Sequence, residues 1–489
     1  MKLSFPTFLA AALVGSAAHA AKPRVRMTPK SAGKAAKSSP DTTTSTTSTT
    51  TTTSTTTATA APRVATPTGS ALYTMTNQPD NEILVYSRDV SDGQLTFAQS
   101  VSTTGSGSTI AGNGGPPTNF ALPPLPAVDP LTSQSAILVA GDCLLNVNAG
   151  SNEVSTFRIH SSIEIEFAGI FGSGGLFPVS IAERDDLVYV LNGGGNGSIQ
   201  GYTLSQFNCG LRPIGDAVEL DQGGGPTSVE VTPFNPPFGV ASPAQVGFTP
   251  DGNILVTVKA LGGGQNYPLA AVGGILVFPI DPATGAAGHP HTTEITDRPG
   301  SAPFAFDFDH DGRLLLIELF GEGYLVDPSN GFTPAAGSGG LSVWEAGGIG
   351  DYTEVSRTST EQFLTCWIEY VPQNHCVYTS NSGFASVSAF TVDGQADALV
   401  DSRAGTGVAG PLDLVASPDG NFLYVLSPSA LGLPGHTGQP SVVVYQTADD
   451  CGLEQVQAIE DGFDTEEARR DADPNGVLNG VLGLAVWSV

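Results

Sequence analysis

From residue 70 onward the chain alternates short runs of β-branched and aliphatic residues with tight polar turns, and almost no stretch carries a helical period. ALYTMTN, EILVYSR, LLNVN, EVSTFRI, LVYVLN, SIQGYTL, ILVTVK, GILVFPI, RLLLIE, CVYTSN, SVSAF, FLYVLS and SVVVYQ all read as strands, so the expected class is all-β. The turns recur. Asp142, Asp185, Asp251, Asp311, Asn374 and Asp419 each sit in a short polar turn between two apolar runs, and each interval holds four strand candidates. Four strands per repeat is the signature of a propeller blade. Six such turns are internal, and the two chain ends complete a seventh blade: the segment at 71–100 lacks a preceding strand and VLGLAVW at 481–487 lacks a following one. The alternative for that tail, a hydrophobic anchor signal, is shorter than such tails usually are.

The chain ahead of the repeat differs in kind. Residues 1–20, with an apolar stretch from Leu9 to Val14 and a small-x-small motif at Ala18-His19-Ala20, read as a secretory signal peptide. Residues 21–65 begin basic and continue as an unbroken Thr/Ser run from 42 to 57, a stalk that is either O-glycosylated or simply a flexible tail. The folded body is expected over 66–489 and in a secreted, extracellular or cell-wall setting.

Charge narrows the partners. Of 19 Lys and Arg, eight lie at or before Arg63, leaving 11 basic against 46 acidic residues beyond it. A body that acidic repels phosphate backbones and anionic lipid, which excludes nucleic-acid and peripheral-membrane roles. No membrane span is expected, and the molecule is read as a monomer.

PAQVGFTPDGNILVTVKA, APFAFDFDHDGRLLLIE, LLNVNAGSNEVSTFRI, LVYVLNGGGNGSIQGYTL and GPLDLVASPDGNFLYVLS resemble the lactonase-type seven-bladed β-propellers, a family that includes 6-phosphogluconolactonases and 3-carboxymuconate cyclases. The resemblance covers about 70–487 and implies a seven-bladed propeller closed by a C-terminal strand that completes the first blade. It also implies a lactone hydrolase or cycloisomerase acting on a small carboxylated or lactone compound, with no required cofactor. The family's inner-strand His and Arg and its Glu after strand b correspond here to Ala244, Gln245 and Lys259, so its catalytic residues do not transfer. The reading that competes with an enzyme is a non-catalytic secreted or cell-wall propeller that binds a ligand or protein.

Long insertions at 101–134, 220–243, 259–273, 319–341 and 427–440 fall between blades or between strands b and c, at one end of the ring; the other end carries only short turns. Elaborated loops on a rigid scaffold usually hold the chemistry. On that face lie His436 and Lys259, the catalytic candidates, together with Arg298, Arg357 and Arg403. A convergence of cations there would grip a carboxylate, with Arg298 and Arg403 as binding residues; local pairing with acids such as Asp297 and Asp401 is the alternative. Gln245, Asp307 and Asp413 are polar residues on inner strands facing the channel, where water can satisfy them; Gln245 and Asp413 count as substrate-binding candidates. His160, His289, His291, His310 and His375 all fall at the short-turn end and read as surface histidines.

Asp307, Asp309 and Asp311, with Gly312 and Glu318, fit the spacing of a calcium loop, but strands rather than helices flank them. The readings are a bound Ca2+ or a plain acidic turn. Asp471, Asp473 and Asn475 repeat the spacing. Cys143 and Cys209, then Cys376 and Cys451, occupy equivalent short-turn positions on neighbouring blades, which predicts disulfides Cys143–Cys209 and Cys376–Cys451 and leaves Cys366 a buried thiol. Asn196-Gly-Ser198 is a glycosylation sequon in a b–c loop.

Overall fold

A computed structural model describes residues 69–108, 129–220, 243–261, 272–320, 326–327, 331–332, 339–362, 364–392, 397–408, 410–427, 440–463 and 481–489. All regular structure among them is β. Seven four-stranded antiparallel sheets form the blades. From inner to outer strand, blade 2 is Ile137–Ala140, Cys143–Asn148, Glu153–Ser161 and Glu164–Gly172, and blade 3 is Pro178–Arg184, Leu187–Asn192, Ser198–Ser205 and Gly210–Glu219. Blade 4 is Pro243–Phe248, Ile254–Val258, Gly273–Phe278 and His291–Ile295, and blade 5 is Pro303–Phe308, Leu314–Glu318, Gly340–Gly348 and Asp351–Ser359. Blade 6 is Thr365–Val371, Cys376–Asn381, Ser386–Thr391 and Ala398–Gly405, and blade 7 is Leu414–Ala416, Phe422–Ser427, Ser441–Thr447 and Leu453–Ile459. A two-stranded ribbon, Val326–Asp327 with Gly331–Phe332, decorates the b–c insertion of blade 5.

Blade 1 takes its inner strand from the far end of the chain. Leu482–Ser488 pairs antiparallel with Ser70–Met75, Ser70 opposite Ser488 and Tyr73 opposite Ala485, and Glu82–Arg88 and Leu95–Ser102 follow outward. The expected closure is therefore present. Burial explains why the ring holds: strand b of each blade is sealed on both faces, as in Cys143–Asn148 and Phe422–Ser427, where every residue is buried. Outer strands alternate instead, as in Asp351–Ser359, with one face on the next blade and one in water.

Arg88 pins the seam between blades 7 and 1. Its Nε donates to Tyr424 Oη at 2.6 Å and its guanidinium lies 5.8 Å from the rings of both Phe422 and Tyr424. Two disulfides, Cys143–Cys209 and Cys376–Cys451, tie blade 2 to blade 3 and blade 6 to blade 7, each with Cα atoms 5.5 Å apart, and Cys366 is a buried free thiol. Bonds of this kind suit an oxidising compartment. No helix among the described residues is long and apolar enough to cross a membrane.

Candidate functional site in the central channel

The inner strand of a propeller blade has one edge facing the channel, and its outward amides need acceptors. Here the preceding blade supplies them. Ser180 Oγ accepts from Val246 N at 3.2 Å; Gln245 Oε1 accepts from Phe306 N at 2.7 Å; Asp307 Oδ2 accepts from Tyr370 N at 3.0 Å. Glu369 Oε1 accepts from Ala416 N at 2.9 Å, and Asp413 Oδ2 accepts from Leu484 N at 2.9 Å. Five consecutive blade junctions, from blade 3 round to blade 1, thus share one device. The polar inner-strand positions that the sequence left to channel water are fastened to protein instead: Gln245 also donates to Phe306 O, and Asp413 Oδ1 also accepts from Leu414 N.

Three of these fasteners are carboxyl groups, and their burial has a chemical consequence. Burial pushes Asp413 up to about 7 and Asp307 up to about 6, against the opposing pull of the amides they accept from, with Asp129 adding to the rise at Asp413 and Asp309 at Asp307. Glu369 stands well above the ordinary carboxylate range, raised by burial and by the charges of Asp307 and Asp413. Glu369 and Asp413 line a cavity of about 210 Å³, with Gln134 and Ser135 at one end and Val139, Val415 and Val486 toward the short-turn end. Among the described residues its lining contains no Lys or Arg. Glu369 went unrecognised in the sequence, although it interrupts the apolar run TCWIEYV much as Asp307 interrupts PFAFDF.

The long-loop end of this channel is crossed by residues 129–135. Asp129 Oδ1 accepts from Leu131 N and Thr132 N, bending the segment inward. Thr132 O receives Lys259 Nζ of blade 4 at 2.7 Å; Ser133 O receives Trp367 Nε1 of blade 6 at 2.9 Å; Gln134 pairs through both amide atoms with Ile368 N and O of blade 6. Gln134 N donates to Ala244 O of blade 4, and Ile181 N of blade 3 donates to Ser135 O. A segment bonded to three other blades is a plug, which is why the long-loop face does not simply open into the channel.

Three of the cations named from the sequence are separately engaged. Lys259 is fully buried beneath the plug, with Nζ 5.0 Å from the centre of the Phe304 ring; burial lowers it to about 7, against the charge of Asp129. Arg298 donates Nε to Glu318 Oε2 at 2.6 Å and Nη2 to Glu318 Oε1 at 2.5 Å, contacts Glu354 Oε2 at 2.5 Å, and forks onto Asp297 at 2.9 and 3.0 Å. Burial alone would lower its pKa; Glu318, Glu354 and Asp297 together raise it. Arg357 lies near Asp297 and Glu354, both at 3.7 Å. Arg403 is exposed. No contact joins Lys259, Arg298 and Arg403 among the described residues, so a shared carboxylate clamp is not assembled by them. His436 lies outside the described residues.

The calcium spacing also comes apart. Asp307 points into the inter-blade junction, Asp309 holds Arg313 Nε at 2.6 Å and two turn amides, and Glu318 at the opposite end of its strand is the partner of Arg298. Among the described residues no group of three His, Cys, Asp or Glu is placed to hold a metal ion. Asp471, Asp473 and Asn475 lie outside the described residues. Asn196 is exposed in its b–c loop, as the sequon requires.

A seven-bladed propeller with an acid-lined, plugged channel is the class that the fold and this site define. Within that class, residues 41–231 match the family described as Lactonase, 7-bladed beta-propeller. Among solved structures, the periplasmic gluconolactonase of Pseudomonas aeruginosa is similar at 16% identity and a TM-score of 0.52, over 80% of this chain and 96% of that one. A protein of Bacteroides fragilis provisionally assigned as a 6-phosphogluconolactonase is similar at 16% identity and a TM-score of 0.54, over 80% of this chain and 95% of that one. A protein from Lactobacillus plantarum is similar at 14% identity and a TM-score of 0.54, over 86% and 99%. At these identities the likeness is one of fold. No curated protein matches the chain.

Proposed function

We propose that this chain is a secreted lactonase that hydrolyses a small uncharged lactone in the central channel, with Asp413 as general base and Glu369 as general acid. The observation that carries the reading is the pair of carboxyls lining one cavity, Asp413 raised to about 7 and Glu369 raised well above the ordinary carboxylate range. Two acids facing one cavity, both with raised proton affinity, can divide the work. Asp413, ionised, takes the proton of the attacking water; Glu369, protonated, donates to the ring oxygen as the acyl C–O bond breaks. The product is a hydroxy acid, and its new carboxylate meets no cation among the described lining residues, which favours release.

The same lining argues against the carboxylated substrate expected from the sequence, and against cyclisation of a dicarboxylate. Two disulfides, the leader-like first residues and the exposed Asn196 sequon support secretion and glycosylation, the stalk serving as a spacer. The test is turnover of a lactone panel, neutral and anionic, by wild type, Asp413→Asn, Glu369→Gln and His436→Ala. Neutral lactones should turn over with a pH limb near 7, and each channel variant should lose on the order of a hundredfold in kcat, the range of a general acid or base. If no lactone reacts above the blank while both variants alter only stability, the chain is instead a binding propeller, and its channel acids are fasteners alone.

A further inference from the structure

At the short-turn end of blades 5 and 6, two histidines converge on one phenol. His310, in the a–b turn of blade 5, places Nδ1 3.0 Å from Tyr370 Oη, and His375, in the a–b turn of blade 6, places its own Nδ1 3.1 Å from the same oxygen. The two imidazole centroids are 4.6 Å apart at 63°. His375 holds a left-handed backbone, φ 56°, an uncommon conformation for a residue other than glycine. The hydroxyl can donate to only one of these nitrogens, so the other ring must supply its own N–H.

We propose that His310 Nδ1, His375 Nδ1 and Tyr370 Oη form a binding site for a divalent first-row transition cation, copper(II) or zinc(II). Donor atoms sharing such an ion at about 2.0–2.1 Å lie roughly 3.3 Å apart in a tetrahedral shell, close to the two separations here. Imidazole is a favoured donor for both ions. The surroundings are set for a cation: Asp307, Asp309 and Asp311 all raise the pKa of the Tyr370 phenol through their charge, secondary to burial. Of these, Asp309 is neutralised by Arg313, whereas Asp311 Oδ2 lies 3.4 Å from His310 Nε2, a carboxylate beside the ring nitrogen that would carry the proton. On binding, both rings present Nδ1 as the bare nitrogen, carrying their protons on Nε2, and the fourth position is left to water. The third donor is a phenol, so the set is not one of His, Cys, Asp and Glu alone.

The test is calorimetric titration of the full chain, free of any affinity tag, with Zn2+ and separately Cu2+. One equivalent should bind, with at least a tenfold loss in His310→Ala and in His375→Ala and no change in His160→Ala, which removes an exposed histidine elsewhere. Tyr370→Phe should weaken binding less and change the visible spectrum of the copper form. Because both histidines sit in surface turns, the variants should melt with the wild type without metal. Absence of one-to-one binding in the wild type, or binding undiminished in the His310→Ala/His375→Ala double variant, overturns the proposal.

Discussion

Arg298 separates a structural cation from a substrate clamp. Its side chain is 3% exposed and that of Glu318 is 1% exposed, and the two are joined by a bidentate pair; Ser342 Oγ also donates to Glu318 at 2.8 Å and itself accepts from Trp344 Nε1 at 2.8 Å. Arg298→Ala leaves Glu318 buried with one hydroxyl donor. Removing one partner of a buried ion pair costs about 3–5 kcal/mol, whereas exchanging both for apolar side chains of similar volume is near neutral. Arg298→Ala should therefore lose about 3–5 kcal/mol in equilibrium guanidinium denaturation, and Arg298→Met with Glu318→Leu should recover most of it. Glu354 keeps Arg357 as a partner in either case. A cost below about 1 kcal/mol for the single variant would refute the argument, because it would mean the guanidinium is free to leave Glu318 for a ligand.

Stability should also depend on pH in a stated direction. Asp413, Asp307, Asp129 and Glu369 all keep protons in the folded chain at pH values where the unfolded chain has released them. Their contribution is complete below about pH 4 and is lost as pH rises through 6 and 7; Lys259, lowered to about 7, opposes this trend only above that range. Melting temperature should fall between pH 4.5 and 7, with a shallower slope in Asp413→Asn; a rise over that window contradicts the assignment. Replacing Cys143 and Cys209 by Ala opens a link spanning 66 residues and should cost about 4 kcal/mol in denaturant unfolding, and an unchanged midpoint would show the bond to be dispensable. Truncation after Gly480 removes the inner strand of blade 1 and should abolish soluble, cooperatively folding protein; a sharp melt in the truncated chain would contradict closure by that strand.

The blades were legible because their turns are local chemistry: Asp142, Asp185, Asp251, Asp311, Asn374 and Asp419 each bend the chain between strands that the sequence already spaces. The disulfides followed from the same frame, since equivalent turns of adjacent blades must lie near each other. The long-loop site was not legible. Scarcity of cations indicates nothing about pairing, and Glu318, the partner of Arg298, reads in sequence as the last acid of a calcium spacing. The plug was hidden more deeply, because Gln134 and Ile368 are 234 residues apart and meet only when blade 2 faces blade 6 across the channel. Glu369 could have been found: it interrupts the apolar inner-strand run TCWIEYV as Asp307 interrupts PFAFDF.

The hydrogen bond that each of these acids accepts from the next blade links the ring's closure to its chemistry. Each fastener satisfies an amide that a channel-facing edge would otherwise leave unpaired, and the blade 4 fastener, Gln245, does so with a neutral group. Blades 5, 6 and 7 use acids for the same task and thereby gather three carboxyls around one lumen, where burial, joined at Glu369 by the charges of Asp307 and Asp413, holds protons on them. A neutral carboxyl is still an acceptor through its carbonyl oxygen, so protonation need not release the neighbouring blade. The last of these links, from Asp413 to Leu484 N, reaches from blade 7 to the strand that the chain's far end lends to blade 1. Proton loss from Asp413 strengthens that bond as a charge-assisted one while introducing a buried charge beside Glu369, so closure of the ring and reactivity of the cavity draw on the same proton.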